Sequence, residues 1–504
     1  MNFPFVLYVV PAGILVILFA FFVRVKPIWK SRYRGWDAYY FLLCVEEFRK
    51  RKKLPIVLPP YFLLDAQEQW YPPGFVVFLS LLPDRFVKKY YWALSPAVDC
   101  LIVAMLYALT CWITGNIIAA IVAGLLYSLS YSVILECQNL NSRLLACFLL
   151  IVTMVSLFGF ADSGNLLFLV VAVLAGFFLL LSHKMSAQLL YFVLPLMSLV
   201  FWNPTYILVM LGIVAVAFIF SGGFFVKVLK GQYDILSFWN RNWKNLGAHQ
   251  VYSSPIYGDE ARDDLGRFFQ TGFKGLIGQI LYLGLNVFIV LLVFPLLYCK
   301  QLSLFDQQML CWVALTYILA AVTLFIPRLR FYGEGYKYLR MIVFPVCYLA
   351  VTPLYYAWDI GYYFNGVLVL ALAVSMVFIL WRNKSLESGQ GWSSLSMDSD
   401  LASVVGFLKG NDKVSVIMSV PVHLLDTIAY HCQKAVLWGT HNYGFHKVEP
   451  FWPVYRQPLE FFITKYGVSH VIVATNYVSP ELLHLSPDKM VFKAGLYIIY
   501  EVTL

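Results

Sequence analysis

Apolar and polar positions along this chain fall into long blocks, not into the short periods of a soluble helix or strand. Apolar runs of about 18 residues or more recur almost to residue 380, each long enough for a helix that satisfies its own backbone groups in lipid. They predict eleven spans, at about 4–24, 90–111, 115–134, 144–161, 165–182, 187–203, 205–222, 274–298, 308–326, 341–357 and 361–381. Only "WNPT" (202–205) separates the sixth from the seventh, and Asn203 with Pro204 predicts a tight turn there. The first run, Phe3 to Val23, is longer than a signal-peptide core and has neither a basic stretch before it nor a small-residue cleavage site after it. It is expected to be a retained helix.

Four polar stretches are long: 25–89, 223–273, 327–340 and 382–504. With eleven spans in that order all four fall on one face. The opposite face keeps short connections such as 112–114 and 299–307. The expected fold class is therefore a polytopic α-helical membrane protein with about eleven transmembrane helices and a small C-terminal α/β domain. The transmembrane part covers 1–384, with a large first loop at 25–89. "SLESGQGWSSLSMDSD" (385–400) reads as a linker, and 401–504 as the α/β domain. In that domain "KVSVIMSV" (413–420), "KAVLWG" (434–439), "VSHVIVAT" (468–475) and "LYIIYEVTL" (496–504) read as strands. Helical patterns at about 399–409, 422–431 and 457–466 alternate with them. No phosphate-cradling Gly-rich loop follows any of these strands, so no nucleotide site is expected, and nothing calls for nucleic acid.

Composition adds the exclusion of a soluble enzyme. The 504 residues are 61% hydrophobic and 13% charged, against about 25% charged in soluble domains. The nine cysteines lie mostly inside apolar runs without a CxxC pair, so neither a disulfide framework nor a thiolate metal site is expected. The net charge of +10 suits anionic headgroups or phosphorylated substrates. Its distribution creates a conflict. Lys and Arg collect on the built-up face, which the positive-inside rule taken literally puts in the cytoplasm.

The candidate chemistry begins at "GWDAYYFLLCVEEFRKRKKLP" (35–55). Asp37 reads either as the N-cap of a helix starting at Ala38 or as a carboxylate facing a cavity between helices, a general base or metal ligand. The following helix, with Tyr39, Tyr40, Leu42, Leu43, Val45 and Phe48 around one face, is expected to lie on the membrane. Arg49 to Lys53 would anchor it to headgroups. Beyond it, Asp65 and Glu68 are further carboxylates, and "YPPGFVVFLSLLP" (71–83) is too short to span and reads as re-entrant or interfacial. "ECQNLNSRLL" (136–145) carries Glu136, Asn139, Asn141 and Arg143, and reads either as a ligand-binding loop or as an ordinary polar one. "PRLRFYGEGYKYLR" (327–340) interleaves Arg328, Arg330, Lys337 and Arg340 with Phe331, Tyr332, Tyr336 and Tyr338. Guanidinium forks match phosphate oxygens; the alternative is an interfacial belt. Asp99 falls near or inside a span, where an ionisable group needs a cavity or a partner. His183 and the C-terminal histidines 423, 431, 441, 446 and 470 show no metal spacing and read as surface or packing residues. The loop "WGTHNYGFHKVEPFWPVYRQP" (438–458) reads as a cover for the cavity, an acceptor contact or a packed loop.

A first span followed by "GWDAYYFLLCVEEFRKRKKLP" and then "WYPPGFVVFLSLLP" resembles the GT-C membrane glycosyltransferases, which include oligosaccharyltransferase catalytic subunits, protein mannosyltransferases and aminoarabinose transferases. The resemblance covers mainly residues 1–145 and the general plan of the rest. It implies transfer of a sugar from a polyprenyl-phosphate or pyrophosphate carrier to a glycan, lipid or protein acceptor, at the extracytoplasmic face of the plasma membrane. On it Asp37 is the catalytic base. Arg328, Arg330, Lys337 and Arg340 hold the donor phosphate, and Glu136, Asn141, Arg143, Tyr336 and Tyr338 contact acceptor or sugar. It also leaves room for a divalent cation, Mg or Mn, with Asp37, Asp65 and Glu68 as the carboxylates at hand. The sequon-reading WWD motif of oligosaccharyltransferases is absent from the C-terminal region, which argues against an asparagine-directed enzyme. Two other readings stand beside it: a transporter or flippase of an anionic lipid-linked substrate, and a non-catalytic subunit of a polysaccharide-assembly complex.

Overall fold

The structure is a computed structural model and describes residues 3–29, 35–59, 61–258, 272–273, 302–356, 377, 397–439 and 443–502. The expected spans at 274–298 and 361–381, and most of the linker 385–400, lie outside the described residues.

Four described helices are long and apolar enough to cross a bilayer, or up to six if each of two bent pairs forms one span. Helix α1 (Phe3–Val25) leads to α2 (Gly35–Arg51) and α3 (Gly74–Leu81). Next come α4 (Asp84–Thr114), α5 (Ile117–Ser128), α6 (Tyr131–Cys137) and α7 (Arg143–Ser163). Helices α5 and α6 meet at 59°, so the run expected as one straight span at 115–134 is broken at Leu129 and Ser130. The break turns α6, and Glu136 with it, toward the loops. Helices α8 (Leu166–Leu180) and α9 (Lys184–Val200) are shorter apolar elements. The expected turn after α9 is present: Asn203 Oδ1 accepts the Thr205 N–H at 3.0 Å, starting α10 (Thr205–Phe220). Helix α10 turns through 115° into α11 (Phe224–Arg241). Ser303 and Asp306 form a reciprocal capping box that starts α12 (Leu304–Phe325). A 3₁₀ turn, Pro327–Tyr332, and α13 (Gly335–Leu339) then lead to α14 (Val343–Tyr356).

The bundle is tied by a charge pair that the sequence showed only in half. Arg24 and Asp99, both fully buried, form an ion pair between α1 and α4. Tyr127 of α5 donates to Asp99 at 2.8 Å, and Arg24 donates to the carbonyls of Ala20 and Ser128 at 3.0 and 3.2 Å. Asp99 therefore has the partner that an ionisable group at this depth requires.

Residues 397–502 form a five-stranded sheet flanked by helices. Strands β3 (Val416–Val420), β4 (Ala435–Val436) and β5 (His470–Ala474) are parallel, while β7 (Tyr497–Glu501) runs antiparallel to both β5 and β6 (Met490–Ala494). The sheet order is β4-β3-β5-β7-β6. A separate short ribbon in the first loop pairs β1 (Ile56–Val57) with β2 (Glu68–Gln69). Helices α15 (Ser399–Gly410), α16 (Leu425–Cys432) and α17 (Leu459–Tyr466) cover the larger sheet. Every residue of β5 is buried, as expected of a central strand covered on both faces.

The helix that carries Asp37 differs from expectation. Helix α2 starts at Gly35, so Asp37 sits within its first turn and is not the N-cap of a helix beginning at Ala38. Nor is its central part amphipathic. Ala38 to Val45 are all buried, more than two consecutive turns with no solvent side. Helix α3 covers one side, with Phe41 and Phe75 edge to face at 5.1 Å. Helix α16 covers the other, where Tyr39 packs on Tyr430 and His431 at 5.2 and 4.7 Å. Arg49 pairs with Asp84 and donates to the carbonyls of Leu79 and Leu82, closing the C-terminal end of α3. Gly74 opens α3 where a Cβ would lie 2.6 Å from Ser182 Oγ and 2.7 Å from the Leu181 carbonyl oxygen.

Candidate functional site

The site is built around the turn between α6 and α7. Asn141 Oδ1 accepts the Arg143 N–H at 2.9 Å, fixing the first residue of α7, while its amide donates to Glu136 Oε1 at 2.7 Å. The sequence places three polar groups within eight residues because the turn folds around one carboxylate. Glu136 is buried, and this carboxylate also accepts from Arg143 Nη1 at 2.9 Å and from Arg340. Arg143 continues outward: its Nη2 lies 3.7 Å from Asp37 Oδ2. Asp37, Arg143, Glu136 and Arg340, from three separate stretches of chain, thus form one charged row.

Glu136, Arg143 and Arg340 border a narrow cleft of about 30 Å³, lined also by Tyr127, Ser132 and Lys337. Lys337 adds a third cation to the two arginines, and all three are paired with carboxylates: Arg143 with Asp37 and Glu136, Arg340 with Glu136, and Lys337 with Glu334 at 2.6 Å. His183 lies on the same wall, buried, with Nδ1 3.1 Å from Ser186 Oγ at the start of α9. Burial, reinforced by the charge of Arg143, holds its imidazole well below the usual range, so it is neutral. Tyr71 hydrogen-bonds Ser142 beside Asp37 and Arg143, and burial raises its phenol. Sequence reasoning read His183 as a surface or packing residue and passed over Tyr71. No local pattern marks either as part of a site.

The other candidates are placed elsewhere. Arg328 is exposed and Arg330 half-buried, and neither is on the wall of this cleft. Tyr338 is buried, its hydroxyl within 3.2 Å of Gln188 Oε1 and 3.0 Å of the Tyr332 carbonyl oxygen. The side chain of Tyr336 lies outside the described residues. Asp65 is exposed, 4.0 Å from Lys447 Nζ. Glu68 pairs with Lys227 at 2.6 Å and accepts from Trp70 Nε1 at 2.9 Å, which together hold it below the usual carboxylate range. Trp70 stacks on Tyr443 with centroids 3.8 Å apart, joining the first loop to the C-terminal sheet region. Asp37, Asp65 and Glu68 are therefore not gathered into one ligand set. Among the described residues no three His, Cys, Asp or Glu side chains converge as a metal group. Asp37 and Glu136 share a guanidinium, that of Arg143, instead.

By sequence the chain matches no protein-family model and no curated protein. By structure it is similar to the oligosaccharyltransferase AglB of Archaeoglobus fulgidus in complex with an inhibitory peptide and a dolichol-phosphate. The TM-score is 0.60 at 14% identity, over 93% of this chain and 69% of that one. An Archaeoglobus fulgidus oligosaccharyltransferase in complex with Zn and sulfate gives a TM-score of 0.59 at 13% identity, over 92% and 68%. ArnT from Cupriavidus metallidurans in the apo state gives 0.58 at 13% identity, over 97% of both chains. At such identities the similarity is one of fold, and it extends far beyond the first 145 residues that carried the sequence resemblance. This protein is an integral membrane protein with the fold of the GT-C glycosyltransferases.

Proposed function

We propose that this protein is a membrane glycosyltransferase that moves a sugar from a polyprenyl-phosphate or pyrophosphate carrier to a glycan, lipid or protein acceptor at the extracytoplasmic face. The observation that carries the reading is the row Asp37–Arg143–Glu136–Arg340 beside a cleft that also carries Lys337, in a GT-C fold. Two structures of similar fold support a lipid-phosphate donor and a peptide among acceptors: AglB with dolichol-phosphate, and the A. fulgidus enzyme tethered to an acceptor peptide.

The chemistry follows from charge. Asp37 accepts the proton of an acceptor hydroxyl as its oxygen bonds to the anomeric carbon. The bond from that carbon to the carrier phosphate breaks, its electron pair stays on phosphate oxygen, and the configuration inverts. Arg340 and Lys337 now face Glu136 and Glu334. A phosphate entering the cleft meets them with more negative charge than a carboxylate offers, and they stabilise it as it leaves. In this orientation the amino terminus is cytoplasmic, and the cations that offend the positive-inside rule serve anionic lipid phosphates and ion pairs within the protein.

The test is transfer of a radiolabelled sugar from its polyprenyl phosphate by the purified full chain and its Asp37→Asn variant. Loss of transfer with retained lipid-phosphate binding supports the base. Full retention of transfer removes Asp37 from that role. Movement of carrier lipid across vesicles without any transfer would favour the flippase reading instead.

A further inference from the structure

Arg143 stands between two carboxylates, with Nη1 2.9 Å from Glu136 Oε1 and Nη2 3.7 Å from Asp37 Oδ2. A divalent cation would hold such a pair in the same way, by placing positive charge between their oxygens. Here the positive charge is covalently attached, and its stem starts from a backbone N–H fixed by Asn141 at 2.9 Å. Guanidinium stays charged at every working pH and offers a planar fork that reaches two acceptors at once. Arg340 holds the second oxygen of Glu136, so an ion entering beside that carboxylate would face two guanidiniums. The donor set therefore fits a divalent metal poorly, although a protein of similar fold has been crystallised with Zn.

We propose that Arg143 is the resident cation of this site. It takes the place between Asp37 and Glu136 that a metal ion would fill, orients Asp37 beside the cleft-lining Glu136, and lets transfer proceed without a divalent metal. It is a positioning residue, acting through Asp37. The catalytic half of this inference rests on the glycosyl-transfer reading; the metal half does not.

The experiment is a Mn²⁺ titration of the full chain in detergent, followed by electron paramagnetic resonance, with transfer assayed in parallel. Five proteins are compared: wild type, Arg143→Met, Arg143→Lys, Glu136→Gln, and Arg143→Met combined with Glu136→Gln. Wild type and R143K are expected to take up no stoichiometric Mn²⁺. R143M is expected to gain one site, at least about tenfold tighter than any in wild type, and the added E136Q change should abolish it. Wild-type transfer is expected to survive chelation, whereas R143M transfer falls and recovers in part with Mn²⁺. The proposal is overturned if wild type binds one Mn²⁺ that E136Q alone removes, or if chelation stops wild-type transfer and Mn²⁺ restores it. A folded R143M that gains no site overturns it as well. Should R143M fail to fold, the wild-type titration and chelation decide. A chain that transfers no sugar under any condition sinks the proposed function, and the Mn²⁺ titration still decides the role of Arg143.

Discussion

Replacing Asp99 by Asn leaves the shape of the bundle and removes one charge. In the structure Asp99 and Arg24 are both wholly inaccessible, and the carboxylate also accepts the Tyr127 hydroxyl at 2.8 Å. An amide at position 99 leaves the guanidinium buried among carbonyls, those of Ala20 and Ser128, which neutralise it only in part. Breaking one side of a buried pair costs about 3–5 kcal/mol, because the remaining charge is uncompensated. Tyr127→Phe removes one hydrogen bond to a charged group and should cost about 1.5–3 kcal/mol. A double variant, Arg24→Met with Asp99→Asn, removes both charges and should recover a large part of the Asp99→Asn loss. The assay is denaturant unfolding in mixed micelles, read by a thiol-reactive dye, since Cys100 and Cys137 are buried near the pair. The expected order of loss is Asp99→Asn, then Tyr127→Phe, with a coupling energy in the double variant of about 2 kcal/mol or more. A loss below about 1 kcal/mol for Asp99→Asn, or simple additivity in the double variant, would refute the reasoning.

Other perturbations follow from the same structure. Gly74→Ala should cost about 1–3 kcal/mol by overpacking, read as a lowered midpoint, because α3 cannot retreat from the Leu181 carbonyl. Burial pushes His423 down to about 3. A depressed imidazole favours folding above about pH 6.5, where both states are neutral, and that advantage is lost as pH falls and the unfolded chain takes up a proton. Stability should therefore fall below about pH 6.5 with a slope of up to about 1.4 kcal/mol per pH unit from this residue. His423→Gln should remove that part of the slope. For orientation, Cys432 is buried and cannot report, but Lys489 is exposed, so Lys489→Cys should react with an impermeant maleimide from outside intact cells. Labelling only after lysis would place the sheet region in the cytoplasm and overturn the proposed face of action.

The sequence reports what is local and apolar. The runs that became α1, α4, α7 and α12 were legible because lipid demands continuous hydrophobicity. Strands β3, β5 and β7 were legible as buried apolar runs, whereas β6 (Met490–Ala494) was missed because its positions are largely exposed at the sheet edge. Glu136, Asn141 and Arg143 could be singled out together because their turn is closed within a few residues. Their union with Asp37 and Arg340 could not, since it depends on how α2, the α6–α7 turn and the 3₁₀ turn Arg340–Ile342 before α14 are brought together. Proximity along the chain also misled: Asp65 and Glu68 share a loop with Asp37, yet Lys447 and Lys227 take them elsewhere. The pattern of α2 looked amphipathic because the residues covering its second side, Tyr430 and His431, lie nearly 400 positions later.

That late cover has a consequence for how the molecule is made. During synthesis α2 emerges early, but its outer flank at Tyr39 stays bare until α16 has been translated. Inserting the early helices in the bilayer therefore does not complete the support under Asp37. The order of translation delays this support until the end of the chain arrives, so a prematurely terminated polypeptide would sit in the membrane with Asp37 on an uncovered helix.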